Sequence, residues 1–183
     1  GTIDKFIGDA ILIFYGDPLT RGVQIDALEC VSMAIEMRSS LEKMRNRWFE
    51  LGIEKPFRIR AGISTGYCTV GNFGSKNRMD YTIIGSQVNI AARLESQADP
   101  DQILISHETW SAVKDKIHCI RLKPVSVKGI SQPIIPYQVI DFVENLKGEL
   151  SIETIGSLSS ECVSVATDET IGRTIELLVA DSG

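Results

Sequence analysis

Histidine is scarce and cysteine is never paired closely. His107 and His118 do not complete a zinc pattern, and Cys30, Cys68, Cys119 and Cys162 are widely spaced with no CxxC among them. Four thiols of this kind suit a reducing, cytoplasmic setting. No apolar run approaches the roughly 20 residues needed to cross a bilayer, and the first residues lack a signal peptide's basic region and cleavage site. The segment is therefore expected to make no membrane contact itself, while a longer parent attached to the membrane elsewhere is compatible with it. Basic residues are also short: 19 Lys and Arg against 24 Asp and Glu leave a net charge of −5. A nucleic-acid partner is excluded as the main business, because binding a phosphate backbone needs a concentrated basic field. Any phosphate bound here is held locally. Neither GxGxxG nor GxxxxGK[ST] occurs; the nearest stretch, Gly71-Asn72-Phe73-Gly74-Ser75, reads as a plain turn.

What is present suits one compact domain: 183 residues, 43% hydrophobic and 23% charged. The chain opens on a hairpin pattern, with two apolar, β-branched runs flanking Gly8-Asp9, a pair that a tight turn accepts. Asp9 is then placed at the hairpin tip, where backbone geometry makes a carboxylate a good metal ligand. Lys5, Ile7 and Asp9 alternate onto one side, about 13 Å separating the first from the last at about 3.3 Å per residue. Taken alone, these two charges read first as a solvated strand-end Lys and a turn Asp.

A long amphipathic helix follows, carried by Leu28, Val31, Ala34, Ile35, Leu41, Met44 and Trp48 at spacings of three and four. Phe57 to Tyr67 reads as a strand. After a short extended run ending at Gly85, Ser86 is a candidate cap for a helix with a stripe of small residues at Val88, Ala91 and Ala92. Asn89 and Arg93, four apart, share a face of that helix. Arg suits phosphate because its planar donors fork onto two oxygens and its charge does not titrate. Beyond Asp99-Pro100-Asp101 come a short strand, a short helix and a last pair of strands over Cys119 to Lys128 and Ile134 to Phe142. From Glu144 onward Ser, Thr and Glu dominate, and Asp168 to Val179 reads as weakly helical.

Together, Asp4-Lys5-Phe6-Ile7-Gly8-Asp9-Ala10, Arg60-Ala61-Gly62-Ile63-Ser64-Thr65-Gly66 and the run from Asp80 to Glu95 resemble the catalytic domain of class III nucleotidyl cyclases, most of all bacterial adenylate cyclases. Val127-Lys128-Gly129 before a last strand is similar too. The resemblance covers roughly residues 1 to 143. It implies an α+β, ferredoxin-like antiparallel sheet with helices on one side, acting as a head-to-tail homodimer with ATP held between subunits. It further implies two Mg²⁺ or Mn²⁺ ions per site that activate the ribose 3′-hydroxyl for attack on the α-phosphorus, giving cyclic AMP and pyrophosphate. By the same matching, Asp9 is the second of two metal-binding carboxylates. The first belongs to a strand preceding the hairpin, so residues 1–143 are read as a catalytic domain lacking its first strand, and 144–183 as an extension of unknown role. Lys5 and Thr82 correspond to the base-reading pair, Asn89 to the residue orienting the ribose, Arg93 to the one stabilising charge on the α-phosphate, and Lys128 to a binder of the terminal phosphates. Since guanylate cyclases usually carry an acidic residue at the place of Lys5, adenine is the expected base. The alternatives are a guanylate cyclase and a catalytically silent module for nucleotide binding or dimerisation.

Overall fold

The expected hairpin forms. In the computed structural model, which describes residues 1–53, 55, 57–75, 78–125, 133–149 and 174–181, β1 (Thr2–Ile7) and β2 (Ala10–Tyr15) pair antiparallel with Ile7 opposite Ala10. Gly8 takes the turn at φ +65°, a conformation costly for any residue with a Cβ. The chain continues through α1 (Val23–Glu50), β3 (Ile59–Gly66), β4 (Thr69–Ser75), β5 (Arg78–Ile84), α2 (Ser86–Gln97), β6 (Ile103–Ile105), α3 (His107–Val113), β7 (Ile117–Arg121), β8 (Tyr137–Phe142), α4 (Val143–Glu149) and β9 (Thr174–Asp181).

Seven strands form one sheet in the order β1-β2-β9-β3-β6-β8-β7, and β4 with β5 forms a separate two-stranded arm. The sheet is mixed: β3 runs parallel to β6, and the other pairs are antiparallel. Residues alternate across β3, so its two faces meet different elements. Ala61 and Ile63 bury themselves with Ala27, Cys30, Val31 and Ala34 of α1. Gly62 faces the other way, against α2: a Cβ there would lie 2.0 Å from the Ala91 carbonyl oxygen and 2.3 Å from the Glu95 nitrogen. Helices therefore cover both faces instead of the single face expected from the sequence. The cause is this glycine, which opens the second face to close approach by a helix of small residues.

Three further expectations are corrected. Gly71 to Ser75 is strand, not turn, because full pairing with β5, from Thr69 opposite Ile84 to Ser75 opposite Arg78, overrides the local weakness of its glycines. Ser86 does not cap α2; Gly85 occupies the cap position with no side-chain bond. Thr174 to Asp181 is strand where a weak helix was expected, and it sits between β2 and β3 with backbone pairing on both edges. An apolar run of this length is ambiguous by periodicity alone, and two waiting strand edges decide it.

The long helix is seated by its apolar stripe and by Arg38, whose guanidinium donates to the Ile140 carbonyl at 2.5 Å and the Val139 carbonyl at 3.3 Å. At the other end of the same core, the Tyr15 hydroxyl donates to the Met33 sulfur at 3.3 Å. Burial pushes this phenol from 10.0 up to about 12, with repulsion from Cys30 and Glu36 adding to it. A phenol with a raised folded-state pKa favours folding while neutral. Its contribution is complete below the unfolded value and is lost as pH rises through the folded one. Stability is expected to fall by at most about 2 kcal/mol between pH 10 and pH 12, at about 1.36 kcal/mol per pKa unit. Tyr15→Phe should remove that slope in urea unfolding midpoints taken across the range; an unchanged slope would assign the alkaline loss to another group.

Candidate active site

Five of the six residues singled out from the sequence fall on the hairpin, β5 and α2; the sixth, Lys128, lies outside the described residues. Asp9 stands exposed at the β1–β2 turn. Lys5 lies on β1 with its side chain 42% exposed. Thr82 is buried on β5, and Asn89 and Arg93 lie exposed on α2. Among the described residues the side chains of Asn89 and Arg93 are exposed and make no hydrogen bond or ion pair, while the Arg93 carbonyl accepts from Ser96 Oγ at 3.0 Å.

The pairing of β1 with β2 is not regular. Ile3 lies opposite Ile13 and Lys5 opposite Leu12, which leaves Asp4 as the extra residue of a bulge. A bulge breaks the strict alternation of a strand and re-aims the side chain it carries. Here the Asp4 carboxylate turns inward, its side chain 1% exposed, and one oxygen collects two neighbours: Thr82 Oγ1 donates to Oδ2 at 2.6 Å, and Lys5 Nζ lies 3.8 Å from the same atom. Lys5 and Thr82, 77 positions apart, are thereby brought to one point.

The helix bearing Asn89 and Arg93 is held on β3 at both ends. Near its start Ser64 Oγ donates to Gln87 Oε1 at 2.6 Å. Near its end Arg60 Nη2 meets Glu95 Oε1 at 3.0 Å, the Glu95 side chain being 8% exposed. Burial pushes the Glu95 carboxyl above its ordinary value; Arg60 opposes this and the charge of Asp9 adds to it. The hairpin tip and the end of α2 thus lie near enough for the charge of Asp9 to be felt at Glu95. By backbone register, β9 brings a further acidic position to this end of the sheet, since Asp181 pairs with Ile59 and Val179 with Ile11. No sequence signal marks it, as only strand pairing places it there.

A cleft of about 620 Å³ lies elsewhere, lined by Arg21, Gly66, Gln87 and Glu108 among others, and Lys5, Asp9, Thr82, Asn89 and Arg93 do not line it. Within one chain Asp9, Asn89 and Arg93 are exposed, Lys5 is half-buried, and Thr82 is buried beside Asp4.

The profile of the family described as adenylate and guanylate cyclase catalytic domain matches residues 4–141. The chain belongs to this family. Among solved structures, the cyclase domain is similar to the adenylyl cyclase CyaB from P. aeruginosa, at 55% identity and a TM-score of 0.74 over 77% of this chain and 72% of that one. It is similar also to the guanylyl cyclase Cya2, at 38% identity and a TM-score of 0.71 over 79% and 72%. Among curated relatives, the terminal-differentiation specific adenylate cyclase of Dictyostelium discoideum is 37% identical over 77% of this chain, and adenylate cyclase 1 of Rhizobium meliloti 33% identical over 78%. The cyclase domain spans 7% and 21% of those two proteins. Among the described residues no helix is long and apolar enough to cross a membrane.

Proposed function

We propose that this cyclase domain converts ATP to 3′,5′-cyclic AMP and pyrophosphate, with two copies of the chain sharing each site. The observation that carries the choice of base is the convergence of Lys5 and Thr82 on Asp4. Adenine offers an acceptor at N1 and a donor at its 6-amine; guanine offers the reverse at both places. An ammonium can only donate, so Lys5 matches adenine N1 and opposes the guanine N1–H. Thr82 completes the reading by accepting from the 6-amine.

In the reaction, the ribose 3′-oxygen forms a bond to the α-phosphorus, the bond from that phosphorus to the bridging oxygen breaks, and pyrophosphate leaves with the electron pair. The 3′-hydroxyl proton passes to solvent. Asn89 orients the ribose, Arg93 stabilises the charge that develops on the α-phosphate oxygens, and Lys128 binds the terminal phosphates. Asp9 suits a divalent ion: it offers hard oxygen donors on a fixed turn. Among the described residues no three metal-ligating side chains gather. When bound, Mg²⁺ or Mn²⁺ supplies activation of the 3′-hydroxyl and neutralises phosphate charge.

Sharing between copies is supported by the apolar surface beside these residues. Phe6, next to Lys5 on β1, is 68% exposed, and Met79 and Ile84 are 60% and 52% exposed on β5, the strand that carries Thr82. The test is the initial rate of cyclic nucleotide formation by the intact protein with Mn²⁺. The value of kcat/KM for ATP is expected to exceed that for GTP by at least about a hundredfold, since two mispaired polar contacts oppose guanine. A preference for GTP would reverse the assignment, and no cyclic product from either would remove the enzymatic reading.

A further inference from the structure

We propose that Asp4 is a positioning residue that sets base selectivity by fixing the direction of the Thr82 hydroxyl; this rests on the adenylate reading above and deepens it. A threonine hydroxyl is ambiguous by nature, with one hydrogen to give and lone pairs to receive. Free to rotate, Thr82 would accept from the amine of adenine or donate to the 6-oxygen of guanine with equal ease, and would discriminate nothing. In this structure its hydrogen is already committed. Oγ1 donates to Asp4 Oδ2 at 2.6 Å, a charge-assisted bond to a carboxylate whose side chain is 1% exposed, while Thr82 itself is 7% exposed. Only lone pairs are left for the base. An incoming amine is met by an acceptor; an incoming carbonyl oxygen meets another oxygen.

The same carboxylate oxygen lies 3.8 Å from Lys5 Nζ, so one anion orients both readers toward the adenine pattern. The device depends on the bulge that leaves Asp4 unpaired between Ile3 and Lys5. In a regular strand neighbouring side chains point to opposite faces, and Asp4 could not face Thr82 while Lys5 kept its place on the same side.

The experiment measures kcat/KM for ATP and for GTP on the intact protein and on Asp4→Asn, Asp4→Glu, Thr82→Val and the double variant Asp4→Asn/Thr82→Val. Each ratio comes from one preparation, so a partly unfolded variant does not distort it. Asparagine keeps the shape but can donate its amide hydrogens to Thr82, freeing the hydroxyl hydrogen for guanine. Asp4→Asn is expected to lower the ATP:GTP ratio about tenfold, mostly through KM. Asp4→Glu keeps an acceptor and should hold the ratio within about threefold of wild type, and Asp4→Ser, which can also donate, should behave like Asp4→Asn if the asparagine variant does not fold. In the Thr82→Val background Asp4→Asn should change the ratio little further, because the residue through which it acts is gone. An unchanged ratio in Asp4→Asn, or an undiminished effect in the Thr82→Val background, overturns the proposal while leaving the adenylate reading in place. A wild-type preference for GTP overturns both.

Discussion

Asp9→Ala and Arg93→Ala should each lower cyclase activity by at least about a hundredfold, and an equimolar mixture of the two should recover about a quarter of the wild-type rate. The single losses follow from the roles assigned: Asp9 holds the divalent ion, and Arg93 offsets charge that appears only as the α-phosphate is attacked, a kind of contact worth about 10²–10³ in rate. The recovery follows from the proposed sharing of each site, in which Asp9 of the hairpin turn and Arg93 of α2 are drawn from different copies. In a random mixture of a two-fold dimer, half of the assemblies are mixed, and each of those keeps one intact site of two. The variants are purified separately, mixed, and assayed with Mn²⁺ and ATP. A mixture as inactive as either variant alone would mean that each site draws on one chain only.

Gly62→Ala should cost about 3 kcal/mol of stability, the upper range for an overpacked core position, and carry activity down with it. A methyl group there has no flexible neighbour to push aside. Its nearest atoms would be the Ala91 carbonyl oxygen at 2.0 Å, the Glu95 nitrogen at 2.3 Å and the Glu95 Cα at 3.0 Å, all of them α2 backbone. The helix must lift as a body, and with it go Asn89 and Arg93, together with the Ser64–Gln87 bond and the Arg60–Glu95 pair that hold its two ends. Urea unfolding checks the first part, as a lower midpoint with an unchanged slope. An unaltered midpoint would mean that α2 is not seated on β3 as described.

Much of this architecture was legible because it is local. The Gly8-Asp9 turn, the 3.6-residue stripe of α1 and the Asn89–Arg93 spacing each need only a few neighbouring residues to declare themselves. The Lys5 and Thr82 pair was legible through the ordered motifs that surround both residues. What stayed hidden depends on distant partners. Asp4 looks like an ordinary strand residue until a slip in pairing with β2 turns it toward Thr82, 78 positions away. β9 carries no helical or alternating signature strong enough to place it, and the free edges of β2 and β3 settle its form. Gly62 sits within a matched motif, yet its purpose shows only when α2 is found against it. Glycines suggested a turn at Gly71 to Ser75, where pairing with β5 made a strand instead.

The domain is proposed to cyclise a purine nucleotide and to choose adenine through Lys5 and Thr82. The most direct measurement places equal ATP and GTP with Mn²⁺ in one reaction with the intact protein and separates the cyclic products by chromatography. Cyclic AMP is expected to form in large excess, accompanied by one pyrophosphate for each cyclic nucleotide. Cyclic GMP as the main product would reverse the choice of base, and nucleotide consumed with no cyclic product at all would remove the cyclase reading.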